Sequence, residues 1–154
     1  MTTSKKTKFK PISIRPMKSS DHAQALDLWR RSKGVGFRSD ETRSVLAYYL
    51  KRNPGFSFVA FSEKKLVGTI LGGHDGRRGS IAHLAVDPAF RRRGLGRCLV
   101  ALCLQKLQKN GIPRTHILVI GSNRIGRRFW KQMGWIERKD LALFSSPFRK
   151  ARRS

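Results

Sequence analysis

Arg91-Arg92-Arg93-Gly94-Leu95-Gly96-Arg97 joins a β-rich run ending in Leu84-Ala85-Val86 to an apolar stripe that starts at Leu95. Cations and two glycines where a strand turns into a helix form a place for phosphate. Gly94 and Gly96 remove side-chain obstruction, so the unpaired amides of the first helical turn point at one anion, aided by the helix dipole and the flanking arginines. Two familiar phosphate loops are excluded. The dinucleotide fingerprint fails because Leu99 holds its third glycine position and no acid follows before Glu137, and the triphosphate loop fails because no Gly-Lys-Ser or Gly-Lys-Thr occurs. Between Asp87 and Glu137 the chain has many cations, from Arg91 to Lys131, and no acid. That half is read as facing an anionic ligand; the competing reading is a solvated basic surface.

Among proton-transfer groups, His83 lies nearest this turn, and an imidazole of ordinary pKa near 6.5 suits proton removal at neutral pH. Strand alternation puts Ile81, His83 and Ala85 on one face, away from Leu84 and Val86. A packed histidine, His74 or Asp75 in the preceding turn, and a water chain are the other readings for the base. Asp40 or Glu41 would suit a cationic substrate. Cys98 and Cys103 fall on the apolar side of the helix after Gly96 and read as buried small hydrophobes, with no disulfide framework or zinc site expected. Trp29 reads as core. Of Tyr48 and Tyr49, which fall on adjacent faces, one is expected to line a substrate channel, and spacing does not choose between them.

The elements that position these residues follow from periodicity. Ile12 to Arg15 alternates as a strand, Ser19 to Asp21 offers capping chemistry to a helix through Trp29, and Ser39 or Asp40 caps a second helix carrying Val45, Leu46, Tyr49 and Leu50. Strands follow over 56–61, 66–71 and 81–86, and the third is stopped by Asp87-Pro88. A helix runs from Leu95 toward Asn110, a buried-type strand spans His116 to Ile120, a helix spans Asn123 to Met133, and Trp135 to Ser145 returns to strand. This order predicts a mixed α/β sheet. With 154 residues and 39% hydrophobic side chains under a net charge of +25, the expectation is one folded domain at 11–146, with basic tails at 1–10 and 147–154. The expected location is the cytoplasm: no run suits a membrane span, and the first ten residues lack the apolar stretch of a signal peptide.

The cofactor-type segment resembles the GNAT superfamily of acetyl-CoA-dependent N-acetyltransferases, whose motif is Arg or Gln, two residues, Gly, one residue, then Gly or Ala. Arg91, Gly94 and Gly96 fill it, and the resemblance continues through Gly111, Ile117 to Ile120, Asn123, Phe129-Trp130 and Gly134-Trp135. It implies a mixed, mostly antiparallel sheet flanked by about four helices. It further implies that Leu84, Ala85 and Val86 offer main-chain groups to the pantetheine arm, that the amides from Arg92 to Arg97 (Arg92, Arg93, Gly94, Leu95, Gly96, Arg97) hold the pyrophosphate, and that Asn123 contacts the cofactor. Acetyl-CoA is thus the expected cosubstrate, with no metal. The glutamate base and tyrosine acid of members resembling ribosomal-protein alanine acetyltransferases fall on Leu118 and Trp130, which cannot exchange protons at neutral pH. His83 is therefore the expected base, and the Trp130 N–H with the positive field is expected to assist thiolate departure. The expected reaction is direct attack on the thioester by a primary amine of a small molecule or peptide. Expected partners are that amine, nonspecific nucleic acid or ribosome contact, no membrane, and a homodimer by resemblance. The alternative is a catalytically weak module of the same fold that binds nucleic acid or ribosomes through its basic surface.

Overall fold

The structure is a computed structural model describing residues 10–36 and 41–147. The strands are β1 (Ile12–Pro16), β2 (Phe58–Ser62), β3 (Lys65–His74), β4 (Arg78–Val86) and β5 (Arg114–Ile117). The helices are α1 (His22–Arg31), α2 (Arg43–Arg52), α3 (Leu95–Lys109) and α4 (Arg124–Gln132). One sheet is ordered β1-β2-β3-β4-β5. Neighbours are antiparallel from β1 to β4, and β5 runs parallel to β4. Such a parallel pair needs a crossover, which α3 supplies.

Each face of the sheet is covered because β3 is apolar on both. One core gathers Leu28 and Trp29 of α1, Leu46 of α2, and Val59, Leu66 and Leu71 of the sheet. The other sets Leu99, Val100, Cys103 and Leu107 of α3 and Trp130 of α4 against Val67, Ile70 and Ile81. Leu99 and Leu107 are fully buried, and each such side chain stabilises the fold by about 1.5–3 kcal/mol. Gly72 allows α3 to approach, since a Cβ there would collide with Cys103 Sγ and the Phe56 carbonyl.

Local chemistry explains the element ends. Thr42, rather than Ser39 or Asp40, caps α2, its hydroxyl accepting from Val45 N–H at 3.2 Å. The other two residues, and the tail cations Lys5, Lys6, Lys8, Arg149, Lys150, Arg152 and Arg153, lie outside the described residues. Asp21 does not cap α1 with its side chain; it accepts from Lys18 N–H at 2.8 Å and pairs with Arg15 at 2.7 Å. Gly134, at φ +87°, follows the end of α4 in the left-handed region that glycine tolerates.

Four expectations are corrected. The strand read over His116 to Ile120 spans Arg114–Ile117 instead, and Leu118 and Ile120 are exposed. Trp135 to Ser145 forms no strand: it has the alternation but no paired neighbour among the described residues, and Leu141, Leu143 and Phe144 are exposed. Cys103 is buried as expected, but Cys98 is exposed, because the 95/98/99/102/103 stripe is wider than the face α3 presents to the sheet. Ile81 does not share the face of His83. Thr69 pairs with Ala85 and Leu71 with Ala82, so His83 and Leu84 together oppose Ile70 in a bulge that resets the alternation.

Candidate active site

β4 and β5 stay paired only from Arg78–Arg114 to Ile81–Ile117. Beyond that point residues 82–86 of β4 have no strand on their β5 side among the described residues, and the chain after β5 continues to α4. A cleft therefore opens along Leu84, Ala85 and Val86, and the N-terminus of α3 sits at its end. This is the main-chain edge that an amide-bearing arm would need.

The turn at the end of the cleft is built by its backbone. Gly94 is the N-cap of α3 at φ +77°, and Arg92 also takes a positive φ, +62°, a costly conformation for a side-chain-bearing residue. The first bond into the helix returns from Cys98 N–H to the Gly94 carbonyl at 3.0 Å, which leaves the Leu95, Gly96 and Arg97 amides outside the helical ladder. Gly96 lies against α4: a Cβ there would stand 3.5 Å from the Phe129 ring and 3.9 Å from Val86 Cγ2. Two arginines brace this loop instead of extending from it. Arg91 Nε donates to the Val86 carbonyl at 2.9 Å, and Arg93 Nη2 donates to the Ala89 carbonyl at 3.1 Å while lying over the Phe90 ring. Arg92 and Arg97 are exposed. Asp87, buried where β4 ends, accepts from Ala89 N–H at 3.0 Å and lies within 3.4 Å of Arg31 and 3.3 Å of Lys65. Donor amides, an αL glycine and a cationic rim suit a diphosphate.

Asn123 sits at the start of α4 across the cleft. Its Oδ1 accepts from Gly126 N–H at 2.9 Å, so contact with a ligand falls to its Nδ2. Gly34 is matched to it, because a Cβ at that αL position would strike the Asn123 amide. A cavity of about 410 Å³ lies here, lined by Lys33, Gly34, Ile120, Ser122, Asn123 and others. Trp130 is 7% exposed and packs edge-on to Phe129 and Trp135, forming a wall of aromatic rings.

His83 sits in the β4 bulge at φ +50° and faces α1, its ring 4.4 Å from that of Trp29. Thr69 fixes the backbone there: Trp29 Nε1 donates to Thr69 Oγ1 at 2.9 Å, and Oγ1 donates to the His83 carbonyl at 2.8 Å. His83 Nε2 is shielded from solvent and has no hydrogen-bond partner among the described residues. Glu41 Oε1 is 3.5 Å away. Burial lowers the imidazole pKa below its ordinary 6.5, although the Glu41 charge and a backbone hydrogen bond at Gly36 oppose the shift. At neutral pH the ring is thus uncharged and able to take a proton. The sequence did not show this His83–Glu41 contact, because it joins the loop before α2 to a strand bulge.

The other candidates separate. His74 accepts from Gly76 N–H and packs on Phe56, and the Asp75 carboxylate accepts from Arg77 N–H and Arg78 N–H; both lie at the opposite end of β4 from the glycine turn. Tyr49 turns toward Ser80 at that same end, where burial pushes its hydroxyl up to about 12, while Tyr48 is exposed. Leu118 is 75% exposed and has no proton chemistry. Burial raises the Cys103 thiol to about 12, which leaves it un-ionised. No group of three or more His, Cys, Asp or Glu suited to a metal occurs among the described residues.

Residues 22–135 match the Acetyltransferase (GNAT) family. An acetyltransferase of Pectobacterium atrosepticum is 31% identical over 112 residues, covering 73% of this chain and 79% of its own length. The fold is similar to that of Ard1 from Thermoplasma volcanium, with TM-score 0.71 and 22% identity over 81% of this chain and 82% of that one. It is also similar to PaiA N-acetyltransferase from Thermoplasma acidophilum in complex with coenzyme A, with TM-score 0.71 and 18% identity over 80% of this chain and 88% of that one.

Proposed function

We propose, from the premise that this chain belongs to the GNAT acetyltransferase family and is an acetyl-CoA-dependent N-acetyltransferase, that it acetylates a primary amine of a small molecule or peptide with His83 as the base. The observation that carries the assignment of the base is the Nε2 of a neutral imidazole on β4 that has no hydrogen-bond partner among the described residues and faces the Glu41 carboxylate at 3.5 Å. The residues suit acetyl-CoA: the amides of Arg92 to Arg97 would hold its diphosphate, and the main chain of Leu84 to Val86 would take its pantetheine arm. Bound there, it supplies the thioester. Its roughly four negative charges account for the acid-free stretch that surrounds the turn.

An amine with pKa near 10 arrives as an ammonium ion and must lose a proton before it attacks. His83 Nε2 takes that proton, Glu41 at 3.5 Å stabilises the transient imidazolium, and the partly exposed Glu41 carboxylate carries the proton on to solvent. The nitrogen then bonds to the acyl carbon as the carbon–sulfur bond breaks, and a second nitrogen proton ends on sulfur. Departure of the sulfur is assisted by the field at the α3 N-terminus, with the Trp130 N–H as donor. Glu41 also gives the acceptor side a carboxylate that attracts the incoming cation.

The deciding experiment follows free CoA thiol on a panel of amines, amino acids and N-terminal peptides. His83→Ala is expected to lower kcat at least a hundredfold on the preferred acceptor while calorimetric acetyl-CoA binding is kept. Near-normal turnover of His83→Ala from pH 6 to 9 overturns the assignment of the base.

A further inference from the structure

The end of the domain remote from the cofactor turn gathers cations without acids to match them. α3 carries the chain about 21 Å from Leu95, and its last turn holds Lys106 and Lys109. There, Leu107 lies against Gly79 at the start of β4, and Lys106 lies beside Gly55 just after α2, whose last residue is Arg52. The β3–β4 hairpin adds Arg77 and Arg78, and the start of β5 adds Arg114. These residues share one end of the sheet, with Arg78 and Arg114 on the face that α2 covers, Lys106 and Lys109 on the α3 side, and Lys106 reaching round to Gly55. None of these six cations is ion-paired with a carboxylate among the described residues. The local acid, Asp75, spends its carboxylate on the Arg77 and Arg78 amides.

Helix dipoles explain part of this. Lysines in the last turn of α3 complement its negative end. That argument does not reach Arg77, Arg78 or Arg114, which lie on a hairpin and on strands. Arg78 and Arg114 are also register partners on adjacent parallel strands, about 4.8 Å apart. Like charges set side by side on neighbouring strands are destabilising, and an anion bound between them would relieve that repulsion.

We infer that this end is a second anion-binding surface, separate from the acetyl-CoA cleft, and that it takes the phosphodiester backbone of a nucleic acid. Arginine forks suit phosphate oxygens in pairs. The six residues are all cations, and the exposed apolar side chain on α2 nearest them is a single tyrosine, Tyr48, four residues before Arg52, whereas membrane insertion uses a contiguous apolar face. Contacts of this kind read the backbone and carry no base sequence information.

The test measures binding of labelled single-stranded RNA, and of DNA of the same sequence, to the full chain by anisotropy across about 50–200 mM salt without acetyl-CoA. The variant Lys106→Gln/Lys109→Gln/Arg114→Gln is compared with Arg43→Gln/Lys64→Gln/Lys139→Gln, which removes equal charge elsewhere. The first set is expected to flatten the slope of log K against log salt by about 2, at about 0.7 per lost contact, and to weaken binding at least tenfold. Arg52→Gln/Arg77→Gln, at a helix end and a turn, is expected to act in the same direction. Unchanged calorimetric acetyl-CoA binding in every variant shows that the fold is intact and keeps the result independent of the catalytic proposal. Binding of either polymer that depends on these positions supports the inference. Equal losses from both triple variants, no binding by the parent chain, or tighter binding to phosphatidylserine vesicles than to either polymer overturns it.

Discussion

His83 Nε2 and Glu41 Oε1 face each other at 3.5 Å across the space between a strand bulge and the start of α2. The carboxylate raises the proton affinity of the ring, and burial lowers it by more. The balance leaves a neutral base with a counter-charge ready for the protonated state.

The rising limb of kcat/KM against pH is therefore expected below 6.5. Glu41→Gln removes the raising influence, so the limb moves to lower pH while the maximum falls because the imidazolium is no longer stabilised. A limb that moves upward, measured by thiol release across pH, contradicts the pairing.

Stability follows the same group with a definite sign. Because the folded pKa of His83 is depressed, the unfolded chain binds more protons between that value and about 6.5. Its contribution is complete above pH 6.5 and is lost as pH falls toward the folded value. Urea midpoints from pH 7.5 to 5 are expected to decline less in His83→Gln than in the parent chain.

Asp87 acts on the acid side. Burial opposes its charge, but Ala89 N–H, Lys65 and Arg31 outweigh burial and hold its pKa below 3.8. Its contribution is present at neutral pH and is lost as pH falls through the folded value. Asp87→Asn is expected to cost about 1–3 kcal/mol at pH 7 and to erase part of the acid sensitivity of the parent, read by denaturation at pH 7 and pH 3.

At the glycine turn, two substitutions should differ in kind. Gly94→Ala meets open space but strains φ +77°, costing about 1 kcal/mol of stability and weakening acetyl-CoA binding. Gly96→Leu drives a side chain into Phe129 and the cleft, and is expected to abolish calorimetric heat with acetyl-CoA. Intact binding by Gly96→Leu counts against the cradle.

Trp29→Phe leaves the packing largely filled but removes the donor to Thr69, at an expected cost of about 1 kcal/mol. Because Thr69 in turn holds the His83 carbonyl, kcat should fall as well. A double-mutant cycle with Thr69→Val should show coupling; additive losses would separate the two bonds.

The glycine turn was legible in the sequence because its chemistry is local: Arg91, Gly94 and Gly96 lie within six consecutive residues, and a helix stripe follows. The bulge was not legible, since it exists only as two residues of β4 set against Ile70 of β3. For that reason plain alternation puts His83 on the face of Ala85, as the structure does, but also on that of Ile81, which the bulge turns to the other face. Glu41 appeared only as a carboxylate for a cationic substrate, and its place beside His83 required the fold of the α1–α2 connection. The brace from Arg91 to the Val86 carbonyl was equally hidden, because an arginine in a phosphate motif reads as a ligand-facing charge. Alternation over Leu141 and Leu143 promised a strand, but periodicity describes a side-chain pattern and does not supply a hydrogen-bonding neighbour.

Among the described residues β5 is an edge of the sheet, so its outer main-chain donors and acceptors have no strand partner there, and Leu118 is exposed just beyond it. Such a border invites stacking of one sheet against another unless something keeps molecules apart. With a net charge of +25, mutual repulsion is that guard, and it is a guard that dissolved ions weaken. Colloidal behaviour should therefore run opposite to ordinary handling practice, with dilute buffers preserving dispersed particles and concentrated salt encouraging them to coalesce.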